Sequence, residues 1–241
     1  MLPKIAVRIL TFIIAITLGI FTIGALLTAP APTAVGTLSA DFPVESVQIP
    51  APNASTVHGW LVYGKPGGGV VLLAHSMRSN RLEMLSRARF LRDQGYSVLF
   101  IDLQAHGETA GERITFGLKE SENIEASIAF LRKIFPTERI GAIGVSLGAA
   151  AIVLAKHDLK LSAVILESLH PTIEEAVDNR LKLHFGSYGS VLLPLMLAQL
   201  TFYLDTSTEA LSPITRINNL NAPLLIISGT EDAHTTQLET E

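Results

Sequence analysis

Arg139-Ile140-Gly141-Ala142-Ile143-Gly144-Val145-Ser146-Leu147-Gly148-Ala149-Ala150 is the stretch on which the fold of this chain turns. Arg139–Gly144 reads as a short buried strand. Leu147, Ala150, Ala151 and Leu154 then fall on one face of a helix. Between them, residues 144–148 match G-x-S-x-G. A chain that passes from strand to helix within one residue forces Ser146 into unfavourable backbone angles. Small residues two positions away on either side let neighbouring segments approach. The hydroxyl then projects above the sheet near a helix N-terminus, where developing negative charge is favoured. The bare pattern arises by chance in roughly one chain in twelve of this length, so the strand-then-helix context gives it its weight. The glycines are wrongly spaced for a dinucleotide fingerprint, and neither G-K-[ST] nor H-E-x-x-H occurs.

Working outward, Val70–Ala74, Val98–Ile101, Ala163–Leu166 and Leu224–Ile227 are short apolar runs without alternation. Such runs mark strands covered on both faces, as in a parallel sheet. Val44–Ile49 and Thr56–Tyr63 read as an antiparallel opening pair, with Pro66-Gly67-Gly68-Gly69 as the turn behind them. Met84, Ala88 and Leu91, and then Ile124, Ile128, Leu131 and Phe135, carry helical spacing between the strands. Strand–helix alternation means an α/β architecture, a mostly parallel sheet with helices on both faces. Pro171–Leu211 interrupts it as a helix-rich insertion containing the apolar run Val191–Leu204, broken at Pro194.

The chain has 241 residues, 48% hydrophobic and 17% charged, with a mean hydropathy of +0.40. That excludes intrinsic disorder and suggests that some apolar sequence lies in a membrane. Ile9–Leu27 holds 19 residues without a charge, and at about 1.5 Å per residue these nearly cross a hydrocarbon layer of roughly 30 Å. Lys4 and Arg8 precede the run and the next basic residue is Lys65, so the N-terminus is expected in the cytoplasm and the remainder outside. Small residues at Ala29-Pro30-Ala31 and Thr33-Ala34 leave a cleaved signal peptide, and hence a secreted product, as the alternative. Residues 1–43 therefore read as an anchor followed by a Pro- and Ala-rich extended linker, and 44–241 as the folded domain. A formal charge of −4 argues against nucleic acid as a partner, and the absence of cysteine excludes disulfides, thiolate zinc sites and a cysteine nucleophile.

His75-Ser76-Met77 follows the strand Val70–Ala74, where a loop can offer a backbone N–H to an oxyanion. The Met77 N–H and the Leu147 N–H are the expected pair, with Ser146 as nucleophile. His75 itself reads as a loop-packing residue. The order strand, His75-Ser76-Met77, helix, Phe100-Ile101-Asp102 with His106-Gly107-Glu108, then the Ser146 elbow, resembles the α/β-hydrolase superfamily. Within it, residues 44 to 241 are similar to bacterial serine aminopeptidase S33-like, monoacylglycerol-lipase-like hydrolases. The resemblance implies a helical cap before the acid, at 171–211. It also implies that Asp232, in Pro223-Leu224-Leu225-Ile226-Ile227-Ser228-Gly229-Thr230-Glu231-Asp232, orients a histidine; Glu231 is the rival. Asp102 and Glu108 read as shaping the loop after the fourth strand.

The triad histidine implied by the resemblance follows one more helix and strand, whereas this chain has nine residues after Asp232. His234 shares the turn of Asp232, and His106 is the substitute at the sheet edge. His58, His157, His170 and His184 read as structural or solvated. Two expectations follow. One is an incomplete serine hydrolase, lacking the last strand and the histidine region, that cleaves carboxylic esters in preference to amides through an acyl-enzyme, with no metal or organic cofactor. The other is a catalytically impaired relative that binds a lipid or a partner without turnover.

Overall fold

The computed structural model describes residues 4–38, 40–52, 55–236 and 239. Seven strands form the main sheet: β1 (Glu45–Pro50), β2 (Thr56–Val62), β3 (Val70–Ala74), β4 (Ser97–Ile101), β5 (Ile140–Val145), β6 (Ala163–Glu167) and β7 (Leu224–Ile227). Their spatial order is β1-β2-β4-β3-β5-β6-β7, with β2 antiparallel to both β1 and β4 and every later pairing parallel. Side-chain alternation explains why the central runs are wholly apolar. Leu72, Ala74, Leu99 and Ile101 enter one core cluster, while Val71, Leu73, Val98 and Phe100 enter the other. The helices α3 (Glu120–Ile134) and α4 (Leu147–Val153) cover the first face, and α2 (Leu85–Asp93) covers the second.

Register brings the loops that carry the sequence-predicted site residues to one rim. Ala74 pairs with Gly144, Val145 with Glu167, and Glu167 with Ile227, so four parallel strands end at one level. The segments after them, at 75–77, 146, 168 and 228–232, emerge side by side beyond the carboxyl ends, where open α/β sheets carry their sites.

The insertion is a helical cap. Its helices are α5 (Ile173–Phe185), capped by the Thr172 hydroxyl accepting from the Glu175 N–H at 3.1 Å, and α6 (Leu193–Leu204). Pro194 opens α6, as suits its missing donor, instead of breaking it. Between the two, a 3₁₀ turn over Gly186–Leu192 lies against α5 so closely that a Cβ on Gly189 would sit 2.4 Å from the Leu181 carbonyl oxygen.

The N-terminal helix α1 spans Lys4–Thr28, and most of its apolar surface is uncovered. Its last turns are an exception. Ile20, Gly24 and Thr28 are buried at i, i+4, i+8 spacing, and α1 packs on α6. Terminal carbonyls of a helix lack intrahelical partners. Here the Ile114 N–H donates to the Thr28 carbonyl at 2.8 Å, and the Arg78 guanidinium donates to that of Leu26.

The segment read from sequence as an extended linker is extended, but it is not loose. Ala31 and Pro32 pair in parallel with His106 and Gly107. Val35 and Phe42 belong to the core, and the Arg89 and Arg92 guanidiniums each lie over the Phe42 ring, 4.7 Å from its centre. Two apolar side chains within a Pro-rich stretch are enough to pin it down.

Candidate active site

Ser146 has φ +50° and ψ −104°, in the positive-φ region that side chains avoid. The bend is held from three sides. The Ser146 N–H donates to the Glu167 carbonyl at 2.8 Å, the Gly148 N–H to that of His75 at 3.1 Å, and the Ala150 N–H to that of Ser146 at 2.9 Å. The two flanking glycines are required by contact. A Cβ on Gly144 would lie 2.5 Å from the Ala149 nitrogen, and one on Gly148 would lie 2.4 Å from the Ala74 carbonyl oxygen. The G-x-S-x-G spacing thus lets helix α4 fold directly back over β5 and β3.

Ser146 opens into a cavity of about 280 Å³ lined largely by apolar side chains of the cap and of α1. Met77 and Leu147, the expected oxyanion donors, line the same cavity. Leu147 is the first residue of α4, so its N–H has no acceptor one turn back within the helix.

Asp232 lies in the turn after β7, half-buried. It accepts from the His234 N–H at 2.9 Å and the Thr235 N–H at 3.1 Å. Burial works against its charge, but the Ser168 hydroxyl and these two amides hold its carboxyl below the usual range. Ser168 directly follows Glu167, the acceptor of the Ser146 N–H, so Asp232 and Ser146 occupy one rim with β6 between them. Glu231, the rival acid, is exposed.

His75 is fully buried, with Nδ1 2.6 Å from the Ser76 carbonyl and Nε2 accepting from the Leu103 N–H at 3.0 Å. Those partners fix the neutral Nδ1–H tautomer, and burial lowers its pKa to about 3. It packs the loop, as its sequence position suggested. His106 is not the substitute base that its edge position suggested. Its Nδ1 faces the Gln104 carbonyl at 2.9 Å, its ring packs edge-on against His75, and it is absent from the wall of the Ser146 cavity. Asp102 and Glu108 both pair with Arg81, which lies over the Trp60 ring, so they clamp the loop as read.

The fold has counterparts among solved structures. The Pyrococcus furiosus esterase Pf2001 superposes with a TM-score of 0.70 at 24% identity, covering 88% of this chain and 80% of that one. Esterases from Exiguobacterium antarcticum (TM-score 0.58, 14% identity, 81% of this chain and 85% of that one) and Thermogutta terrifontis (0.53, 16%, 81% and 84%) also match. The chain has the α/β-hydrolase fold. Among curated proteins, the uncharacterized protein YqkD of Bacillus subtilis is 23% identical over 199 residues, which is 80% of this chain and 65% of that protein's length. No protein-family model matches.

Within this hydrolase fold, two features of the cavity escaped the sequence reading. His170, read there as structural or solvated, is buried against the Ser146 cavity, and its Nε2 has no partner among the described residues. Burial, and then the nearby Arg180 charge, lower its pKa to about 4, so the ring is neutral at pH 7. The only hint in sequence was its position three residues past the end of β6. The second feature is the α1 wall, made by Ile20, Ile23, Gly24 and Leu27. An apolar 19-residue run carries no mark of which turns will be covered.

Proposed function

We propose that this protein is a membrane-anchored serine hydrolase of carboxylic esters that works through a Ser146 acyl-enzyme. The observation that carries the reading is the strained Ser146 elbow opening, with Met77 and Leu147 in the same wall, into an apolar cavity. The esterases of matching fold support the reaction class, and the resemblance seen in sequence supports the S33-like, monoacylglycerol-lipase-like branch. The α1 helix, Lys4–Thr28, is long and apolar enough to act as a single-pass anchor, with Lys4 and Arg8 on the cytoplasmic side and the catalytic domain outside.

In this reading the Ser146 Oγ attacks the ester carbonyl carbon, and the carbonyl oxygen takes the negative charge between the two amides. An imidazole removes the serine proton and returns it to the departing alcohol. Water then cleaves the acyl-enzyme and releases the carboxylic acid. Asp232 orients that imidazole. Two strand spacings, about 10 Å, separate the ends of β5 and β7, a gap suited to a bridging ring rather than to one hydrogen bond. The resemblance implies a histidine beyond Asp232 for this role. His170, neutral and with a free Nε2, is the buried histidine that shares the cavity with Ser146.

The test is fluorophosphonate labelling of the full-length protein in detergent, together with ester turnover. Labelling at Ser146 is expected, and Ser146→Ala is expected to lower turnover by about 10³-fold or more while leaving the fold intact. A folded protein that takes no label would instead favour the second reading, a cavity that binds without turnover. Loss of labelling in His170→Gln would assign the proton acceptor to that ring; retained labelling would assign it elsewhere.

A further inference from the structure

Resting on the serine-hydrolase reading above, we propose that the Ser146 cavity draws its substrate sideways from the bilayer, past a wall made by the anchor helix itself. The substrate class is therefore a membrane-resident acyl ester. Three observations lead there. First, α1 contributes Ile20, Ile23, Gly24 and Leu27 to the same cavity as Ser146, opposite Met196 and Leu200 of α6. This seam is close: a Cβ on Gly24 would lie 2.5 Å from the Gln199 amide oxygen. An anchor that merely tethered the domain would leave the catalytic cavity alone.

Second, helix length sets the depth. From Ile9 to Gly19, before the first buried residue, Ile20, α1 has 11 free residues, about 17 Å of helix. The hydrocarbon layer is roughly 30 Å thick. With Arg8 held at the cytoplasmic face, α1 can cross only if its docked turns, residues 20–28, also lie in hydrocarbon. The surface of α6 packed beside those turns must then be immersed with them.

Third, the cap is built for that depth. Around the cavity it exposes Tyr188 (85%), Val191 (78%), Phe202 (75%) and Phe185 (54%), a density of bare apolar side chains that water would penalise. Leu195 and Phe202 lie seven residues apart on one face of α6, away from buried Met196 and Leu200. The bilayer that takes α1 covers this face without any further partner. Loss of α1 by signal cleavage would instead strip a wall from the cavity and free the Ile114 and Arg78 donors that hold its end.

The experiment uses the full chain in phosphatidylcholine vesicles. The sequence has no cysteine, so Val191→Cys and Phe202→Cys each give one nitroxide site. Both labels are expected to be reached by oxygen and shielded from an aqueous nickel chelate, the reverse of Lys65→Cys; labels open to the chelate would overturn the proposal. Ser146→Ala, irradiated in vesicles holding a diazirine-tagged long-chain monoacylglycerol, is expected to crosslink within residues 20–27 and 196–200, and absence of those adducts would also overturn it. In the active chain, Val191→Glu with Phe202→Glu is expected to slow hydrolysis of a vesicle-embedded oleoyl ester by about tenfold or more, while a water-soluble acetate ester changes by less than about twofold. Equal effects on both esters would refute lateral access. A wild-type chain that hydrolyses neither ester but still crosslinks would overturn the hydrolase reading and leave this one standing.

Discussion

At the scale of the residue, Ser146 holds its oxygen in place at the expense of its own backbone. A non-glycine residue at φ +50° costs of order 1–3 kcal/mol, and the three hydrogen bonds around the elbow keep it there. Ser146→Ala removes the hydroxyl but keeps the Cβ, so the strain remains. Ser146→Gly removes both. Both variants should be inactive, and Ser146→Gly should be the more stable by about 1 kcal/mol once its larger unfolded-state entropy is set against the relief of strain. Chemical denaturation of the two side by side decides this. If the alanine variant is equally stable or more so, the elbow stores no strain.

At the scale of the element, the seven strands and the α2, α3 and α4 helices were legible because each depends on a local pattern. Val70–Ala74 and Leu224–Ile227 needed only an apolar run of strand length, and the Ser146 elbow needed only glycine where a Cβ cannot fit. The docking of α1 and of Ala31, Pro32, Val35 and Phe42 was not legible, because both rest on long-range contacts. Phe42 looks like a stray aromatic among Pro, Ala and Thr until the Arg89 and Arg92 guanidiniums from α2 are placed over its ring. The place of His170 against the Ser146 cavity was not legible for the same reason, since a histidine in a loop carries no sign of the cavity that the cap will close over it. Phe42 supplies a direct test of the docked segment. Its side chain is fully buried, so Phe42→Ala should cost about 3–5 kcal/mol, and at two to four degrees per kcal/mol it should lower Tm by roughly 6–20 °C. Thermal unfolding in detergent measures it, and an unchanged Tm would mean the segment is a free tether after all.

At the scale of the whole molecule, two histidines buried near the carboxyl rim of the sheet make the fold sensitive to acid. His75 and His170 are buried and neutral, with pKa values lowered to about 3 and about 4 from an ordinary value of 6.5. The folded state therefore refuses protons that the unfolded chain takes up below pH 6.5. Each histidine leaves stability untouched above that pH and removes about 1.4 kcal/mol per pH unit below it, until its own folded-state pKa is reached. Together they should steepen the fall of unfolding free energy between pH 6 and 4.5 to about 2.7 kcal/mol per unit. Asp232, whose carboxyl is held low, loses its contribution in the same direction at still lower pH, whereas burial raises the pKa of Asp102 and opposes the trend. His75→Gln separates these effects. The amide oxygen can accept from the Leu103 N–H as Nε2 does, but it cannot be protonated in the unfolded chain. At pH 7 the variant should be the less stable of the two, through imperfect packing. On acidification to pH 4.5 it should gain on the wild type by about 2–3 kcal/mol, read from guanidinium unfolding at pH 7, 5.5 and 4.5. Parallel pH profiles would mean that His75 is charged or solvated in the folded protein. The loop that carries Met77 would then lack the neutral buried ring on which the hydrogen bonds to Ser76 and Leu103 depend.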